Sequence, residues 1–302
     1  MEQLVKLVPL SSDLIWYLLI DIALAILLLL VIRSFSGFIT KTSVRQELGE
    51  KDNFAFGISL AGRMLSLTIV LSAVVGRHVG TSFEVTALGM LIFGVMGIFL
   101  VRLGRFAHDK LVLNKLDKDA MIAQKNVSVA LVDAASAVGS AIIIKSIIDW
   151  ADGTDTNTFI AIFSGALVVL TILLITTRIY ELRYANNNQN TSFQGALCKG
   201  QLALAVQHSG NLIGTAIVVS SAGSLLQYSP QAYVSNVTGW LAVGTALALL
   251  LGVLVSITKR IVLVGINWKS EVDLQHNVGI ASIESVLSVG LALLIASLFV
   301  TN

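Results

Sequence analysis

Apolar runs about twenty residues long recur along the chain, separated by short polar segments that carry most of its charge. A helix needs about 20 such residues to cross a ~30 Å hydrocarbon core. Runs of that length fall at about 14–32, 54–75, 85–103, 127–148, 158–177, 200–222, 238–257 and 278–300, which predicts eight spanning helices. The fold class expected is therefore all-α, a polytopic membrane protein. The segment ahead of the first run, MEQLVKLVPLSSD, has no basic n-region and no small-residue cleavage site follows it, so that run is expected to stay as an anchor.

The pattern also repeats. The run KNVSVALVDAASAVGSAIIIKSII at 125–148 overlies HNVGIASIESVLSVGLALLIASLF at 276–299 with a shift of 151. Identical pairs are Asn126/Asn277, Val127/Val278, Ala130/Ala281, Val138/Val289, Gly139/Gly290, Ala141/Ala292, Ile144/Ile295 and Ser146/Ser297, and Asp133 falls on Glu284. In the second span a shift of 148 pairs Ala55, Gly62, Ile69, Val70 and Ser72 with Ala203, Gly210, Ile217, Val218 and Ser220. In the first span a shift of 145 pairs Arg33 with Arg178, while the third span has no convincing register with the seventh. Two four-helix units result, 1–152 and 153–302, joined near DWADGTDTN. An even number of crossings makes both insert the same way, as parallel repeats, with a pseudo-two-fold axis expected along the membrane normal. The loops 33–52 and 102–125 have helical periodicity and mixed charge, so they are expected to extend the spans or to lie at the interface.

Composition and charge orient this plan. The chain is 55% hydrophobic and 13% charged, with a mean hydropathy of +0.84; soluble domains carry about twice that share of charge. Of the 20 Lys and Arg residues, 16 lie in 33–52, 102–125, 178–199 and 259–269. The other side has Lys6 and Arg77, and Arg63 and Lys145 lie within spans. Both termini are thus expected outside the cytoplasm, with the basic loops inside it. A net charge of +2 reflects that asymmetry, so no nucleic-acid partner is indicated. The single cysteine, Cys198, can form neither an internal disulfide nor a zinc site.

Four-span units with a polar, small-residue helix of the Asn-Val-x-x-Ala-x-x-Asp type, as at Asn126–Asp133, resemble the bacterial inner-membrane family typified by YjfL, domain of unknown function 350. The resemblance covers nearly the whole chain as two tandem copies. It implies an inner-membrane location and association with envelope-stress or peripheral membrane proteins, and it brings no established activity.

Charges at membrane depth are costly and usually have partners. At about 1.5 Å per residue, Asp133 lies about 9 Å and Arg63 about 13 Å in from the same face, so they can meet. Asp21 and Lys145, about 10 Å and 7 Å in from the opposite face, can meet too. In the second half Ala166 and Ala296 stand at both of these positions, as expected of a structural ion pair lost together. At the inner pair Arg63 becomes Asn211 while the acid persists as Glu284, with Gln207 and His208 nearby. The expectation is that neutral groups, or a protonated His208, replace the counter-charge. Ala130, Asp133, Ala137 and Ala141, and their counterparts Ala281, Glu284, Ser288 and Ala292, form stripes suited to close packing or a polar cavity. Asn126 and Asn277 suit helix N-caps.

No phosphate-cradling loop, His-Glu-x-x-His motif or nucleophile–base pair is present, and the histidines at 78, 108, 208 and 276 are too scattered for a metal cluster. No enzyme, cofactor or metal is expected. Two functions stand open. One is a channel or carrier for protons, cations or a small cationic solute, with Asp133 and Glu284 on its pathway. The other is a non-catalytic scaffold whose basic loops recruit a peripheral cytoplasmic protein or anionic membrane lipid. A homo-oligomer is compatible with either.

Overall fold

The computed structural model describes residues 13–40, 43–75, 82–189 and 191–300, the side chains of 35–40 and 300 excepted. Lys6, Arg77 and His78 lie outside the described residues. Among the described residues, eight helices are long and apolar enough to cross a membrane. They are α1 (Leu14–Thr40), α2 (Phe54–Ser72), α3 (Phe83–Leu111), α5 (Val127–Trp150), α6 (Thr156–Asn187), α8 (Leu202–Ser220), α9 (Tyr233–Val262) and α11 (Val278–Val300). Between them lie short helices α4 (Lys118–Ala123), α7 (Phe193–Cys198) and α10 (Trp268–Asp273), a π-helical turn at Gln46–Glu50 and a 3-10 turn at Ser221–Ser224. The expected spans begin within about five residues of these helices. The basic loops do extend the spans, since α3, α6 and α9 run on by 5 to 10 residues beyond the apolar runs.

Helix starts are written in the sequence as short polar caps, whose side chains accept from otherwise unpaired backbone N–H groups of the first turn. Asn53 accepts from Phe56, Asn126 from Val129, Asp155 from Thr158 and Asn277 from Ile280. The turns entering α2 and α8 share a positive φ, at Asp52 (49°) and Gly200 (79°), and those entering α5 and α11 share another, at Lys125 (65°) and His276 (57°). The duplication is therefore kept in the backbone as well as in the residues.

At the centre, α2, α5, α8 and α11 stand in a row, α5 packing on both α2 and α8 and α8 on α11. In the first half α1 and α3 flank this row, and in the second half α6 and α9 do. Small residues allow the closest approaches. A Cβ built on Gly62 would lie 2.5 Å from Ala134 Cα, and one on Gly210 would lie 2.5 Å from Ser285 Cα. With shifts of 148 and 151 these are the same contact in each half, joining α2 to α5 and α8 to α11.

The row corrects one expectation. A two-fold axis relating the halves would map the α5–α8 contact onto an α11–α2 contact. Among the described residues, α11 packs on α8, α9 and α10 and has no comparable packing on α2. The repeats are parallel, but the row they form is open at both ends.

Candidate functional site

The two acids lie at equivalent points of the row and are both buried, at 1% and 0% exposed. In the first half Ser59 donates to Asp133 Oδ2 from α2. In the second half Gln207, which the shift of 148 places on Ser59, donates to Glu284 Oε2 from α8. Each acid thus meets a neutral donor from its neighbour in the row. The counter-charges differ.

Asp133 is held by three cations. Arg105 of α3 donates to Oδ1 through Nε at 3.2 Å and Nη2 at 2.7 Å. Lys118, at the start of α4, reaches the same oxygen at 2.9 Å and also pairs with Asp109. Arg63 Nη2 stands 3.7 Å from Oδ2. The pairing of Arg63 with Asp133 is present as the depth argument expects. Arg105 and Lys118 are not legible as partners from hydropathy, because both fall in a segment that reads as a basic loop. They reach the acid because α3 runs on to Leu111 and the turn after it folds α4 back beneath α2 and α5.

Among the described residues Glu284 has one cation, Lys259 of α9, at 3.0 Å from Oε2. The expectation that neutral groups replace the charge is therefore half right. Gln207 is a partner, but a lysine supplies the charge. Lys259 lies two residues past the apolar run. His208 does not reach Glu284. It follows Gln207 on the helix, about 100° around it, and packs against Phe193 and His108, with ring centroids 4.8 Å and 6.4 Å away. Asn211 is one turn on from Gln207 and shares its face, so it stands where Arg63 stands in the first half.

The two centres also differ in what is left unmet. Among the described residues, Glu284 Oε1, Asn211 Oδ1 and Ser288 Oγ are buried without a hydrogen-bond partner, as are both ring nitrogens of His108 and Nε2 of His208. Buried polar atoms are usually paired, by protein or by ordered water, since leaving one unpaired costs about 1–3 kcal/mol. The first centre has a saturated carboxylate, whereas the second leaves one carboxylate oxygen open and other polar atoms along the same stripe. A cavity of about 260 Å³, lined by Glu47, Phe56, Arg63, Asp119 and Ile122, reaches Arg63 from the basic face. Beside the second centre a groove of about 420 Å³ runs between α6 and α9, from Leu241 to Arg183 and Arg260.

The remaining residues take simpler roles. Asn126 caps α5 and donates to the Leu197 and Cys198 carbonyls at 3.0 Å, tying α5 to α7; Asn277 caps α11 and donates to Glu271 at 2.8 Å. Asn126→Ala is expected to lower stability by about 1–2 kcal/mol, the cost of a lost cap, read as the midpoint of SDS-induced unfolding. Lys145 pairs with Asp149 one turn along α5 instead of with Asp21. Asp21 is buried on α1, which packs on α2 and α3. Outside the spans, the Lys51 ammonium and Asn53 amide hold the Glu47 carboxyl below its usual range. Burial pushes Asp273 upward against the hydrogen bond from Asn188. Among the described residues no cluster of three or more His, Cys, Asp or Glu could hold a metal ion.

The duplicated architecture has a counterpart among known families. A family model described as Domain of Unknown Function (DUF350) matches residues 9–148 and again residues 154–299. Neither a curated protein nor a solved structure matches the chain.

Proposed function

Since the chain belongs, over both of its halves, to the family described as Domain of Unknown Function (DUF350), we propose from its own geometry that it moves protons across or into the membrane. Glu284 is the exchanging carboxylate in this proposal, and Asp133 is the rigid counterpart that holds the first half together. The observation that carries the reading is the open oxygen of a fully buried carboxylate, Glu284 Oε1, among the unpaired Asn211 Oδ1 and Ser288 Oγ. A polar stripe of this kind accommodates water and can pass a proton. His108 and His208, facing each other between the halves, extend it toward the first centre.

Protons fit better than metal or organic cations. Asp133 is already offset by three basic groups and Glu284 by Lys259. A second cation entering either centre would meet that positive charge at close range, in a medium that screens it weakly. The scaffold reading loses part of its support for a related reason. Of the six basic residues in 102–125, Arg105 and Lys118 are turned inward, at 15% and 11% exposed, and are spent on Asp133.

The test is proton flux into proteoliposomes carrying a pH-sensitive dye and a potassium-set voltage. Wild type is expected to exceed protein-free vesicles at least about tenfold, and Glu284→Gln to fall to their level. Gln keeps the shape and the hydrogen bond to Gln207 but cannot exchange a proton, so the unfolding midpoint serves to confirm that the fold survives. Wild-type flux no greater than that of empty vesicles would sink the proposal. So would full flux through a folded Glu284→Gln.

A further inference from the structure

The contact between the two halves uses residues that the duplication also places, unused, at the two ends of the row. At the internal contact Gly139 of α5 faces α8, where an added Cβ would lie 3.5 Å from Ala216 Cβ. Ser146 of α5 donates to the Ser220 carbonyl of α8 at 2.6 Å. Gln194 of α7 donates to the Val112 carbonyl at 2.6 Å and accepts from the Lys115 N–H at 2.7 Å, closing over the end of α3.

Shifts of 151 and 148 carry each of these residues to a copy. Gly139 and Ser146 become Gly290 and Ser297 on α11, and Ser220 and Gln194 become Ser72 and Gln46 at the α2 end. All four are identical. Among the described residues, nothing lies within 4 Å of a Cβ on Gly290. Ser297 and Ser72 are exposed and each donates back to its own helix, to the Leu293 and Ile69 carbonyls. Gln46 is exposed as well. Thr68 and Leu65 are exposed, Leu65 at 51%, where their counterparts Ala216 and Ile213 are buried and half-buried. Asn277 has its amide engaged within the chain, by Glu271.

We propose that a second copy of this chain occupies each end, its α2 packing on α11 of the first as α8 packs on α5. The surfaces are different and complementary, so the contact is heterologous and propagates, closing as a ring or continuing as a row in the membrane plane. This continues an interface the chain already contains, and it does not depend on proton movement. Small residues at the contact suit association in lipid, where close packing rather than the hydrophobic effect drives helices together.

The test is disulfide cross-linking in native membranes, on a Cys198→Ser background. Gly290→Cys with Thr68→Cys is expected, on oxidation, to convert most of the 32.2 kDa chain into a ladder of multiples. Either substitution alone should leave it monomeric. The internal equivalent, Gly139→Cys with Ala216→Cys, should close within one chain and protect both thiols from maleimide, showing that the method reads this geometry. The proposal is overturned if the internal pair closes while the Gly290/Thr68 pair stays monomeric. It is overturned equally if Gly290→Cys alone dimerises, which would mean a symmetric α11–α11 contact. As a measurement without substitutions, wild-type chain in lipid nanodiscs sized to hold several copies should give masses above one chain by light scattering. A monomer at every loading would also refute the proposal.

Discussion

Asp133→Ala is expected to lower the stability of the fold by about 3–5 kcal/mol, the cost of removing one partner from a buried ionic cluster. The loss is large because one carboxylate answers three basic groups. Arg105, bound through two nitrogens, is the most exposed to that loss, since Lys118 keeps Asp109. The measurement is the free energy of SDS-induced unfolding in mixed micelles. A double-mutant cycle sharpens it. Arg105→Leu in the Asp133→Ala chain removes a stranded guanidinium, so the second substitution should cost much less there than in wild type, with a coupling of at least about 1 kcal/mol. Simple additivity, or an unchanged unfolding free energy for Asp133→Ala, would mean that the cluster is not what holds α2, α3, α4 and α5 together. Glu284→Ala should cost less, because it strands Lys259 alone, and that lysine lies near the basic face on a long flexible stem.

The same two centres show what the amino-acid pattern conveys and where it stops. Hydropathy and small-residue identity place all eight helices and reveal the duplication, because both depend on local composition. Depth counting brings Arg63 to Asp133 because α2 and α5 are neighbours in the row. The same arithmetic puts Asp21 and Lys145 at one height, but height is not position around the bundle, and Lys145 pairs with Asp149 on its own helix. Arg105, Lys118 and Lys259 escape for a different reason. A basic residue just beyond an apolar run looks the same in sequence whether it meets water or turns inward, and the extensions of α3 and α9 decide which. A signal was available for Arg105, which lies one turn before Asp109 and two turns after Ile98 on a continuous helical period. His208 does not pair with Glu284, because the residue after Gln207 lies about 100° around the helix, and it faces His108. The open end of the row was beyond reach of the pattern, which shows that the halves are alike but not how one is moved onto the other.

The approach of α8 to α11 gives the second large effect. Gly210→Leu is expected to cost at least about 3 kcal/mol, at or beyond the upper end for overpacking. Its first added atom would lie 2.1 Å from Ser285 Oγ and 2.5 Å from Ser285 Cα. The obstacle includes backbone, so no rotamer change relieves it and the helices must part. Gly252→Ala on α9, where nothing among the described residues lies within 4 Å, provides the contrast. It should be neutral or stabilising by up to about 1 kcal/mol, because a mid-helix glycine gives way to a better helix former. Separation of α8 from α11 also reaches the site. Gly210 lies between Gln207 and Asn211, so the hydrogen bond to Glu284 stretches and water enters around a carboxylate that is now fully buried. Whatever proton flux the wild type shows should therefore lose its dependence on Glu284 in a Gly210→Leu chain that still inserts. If Gly210→Leu unfolds at the wild-type midpoint, the close contact between these helices is not a constraint. The burial of Glu284 would then have to come from the flanking helix α9 alone.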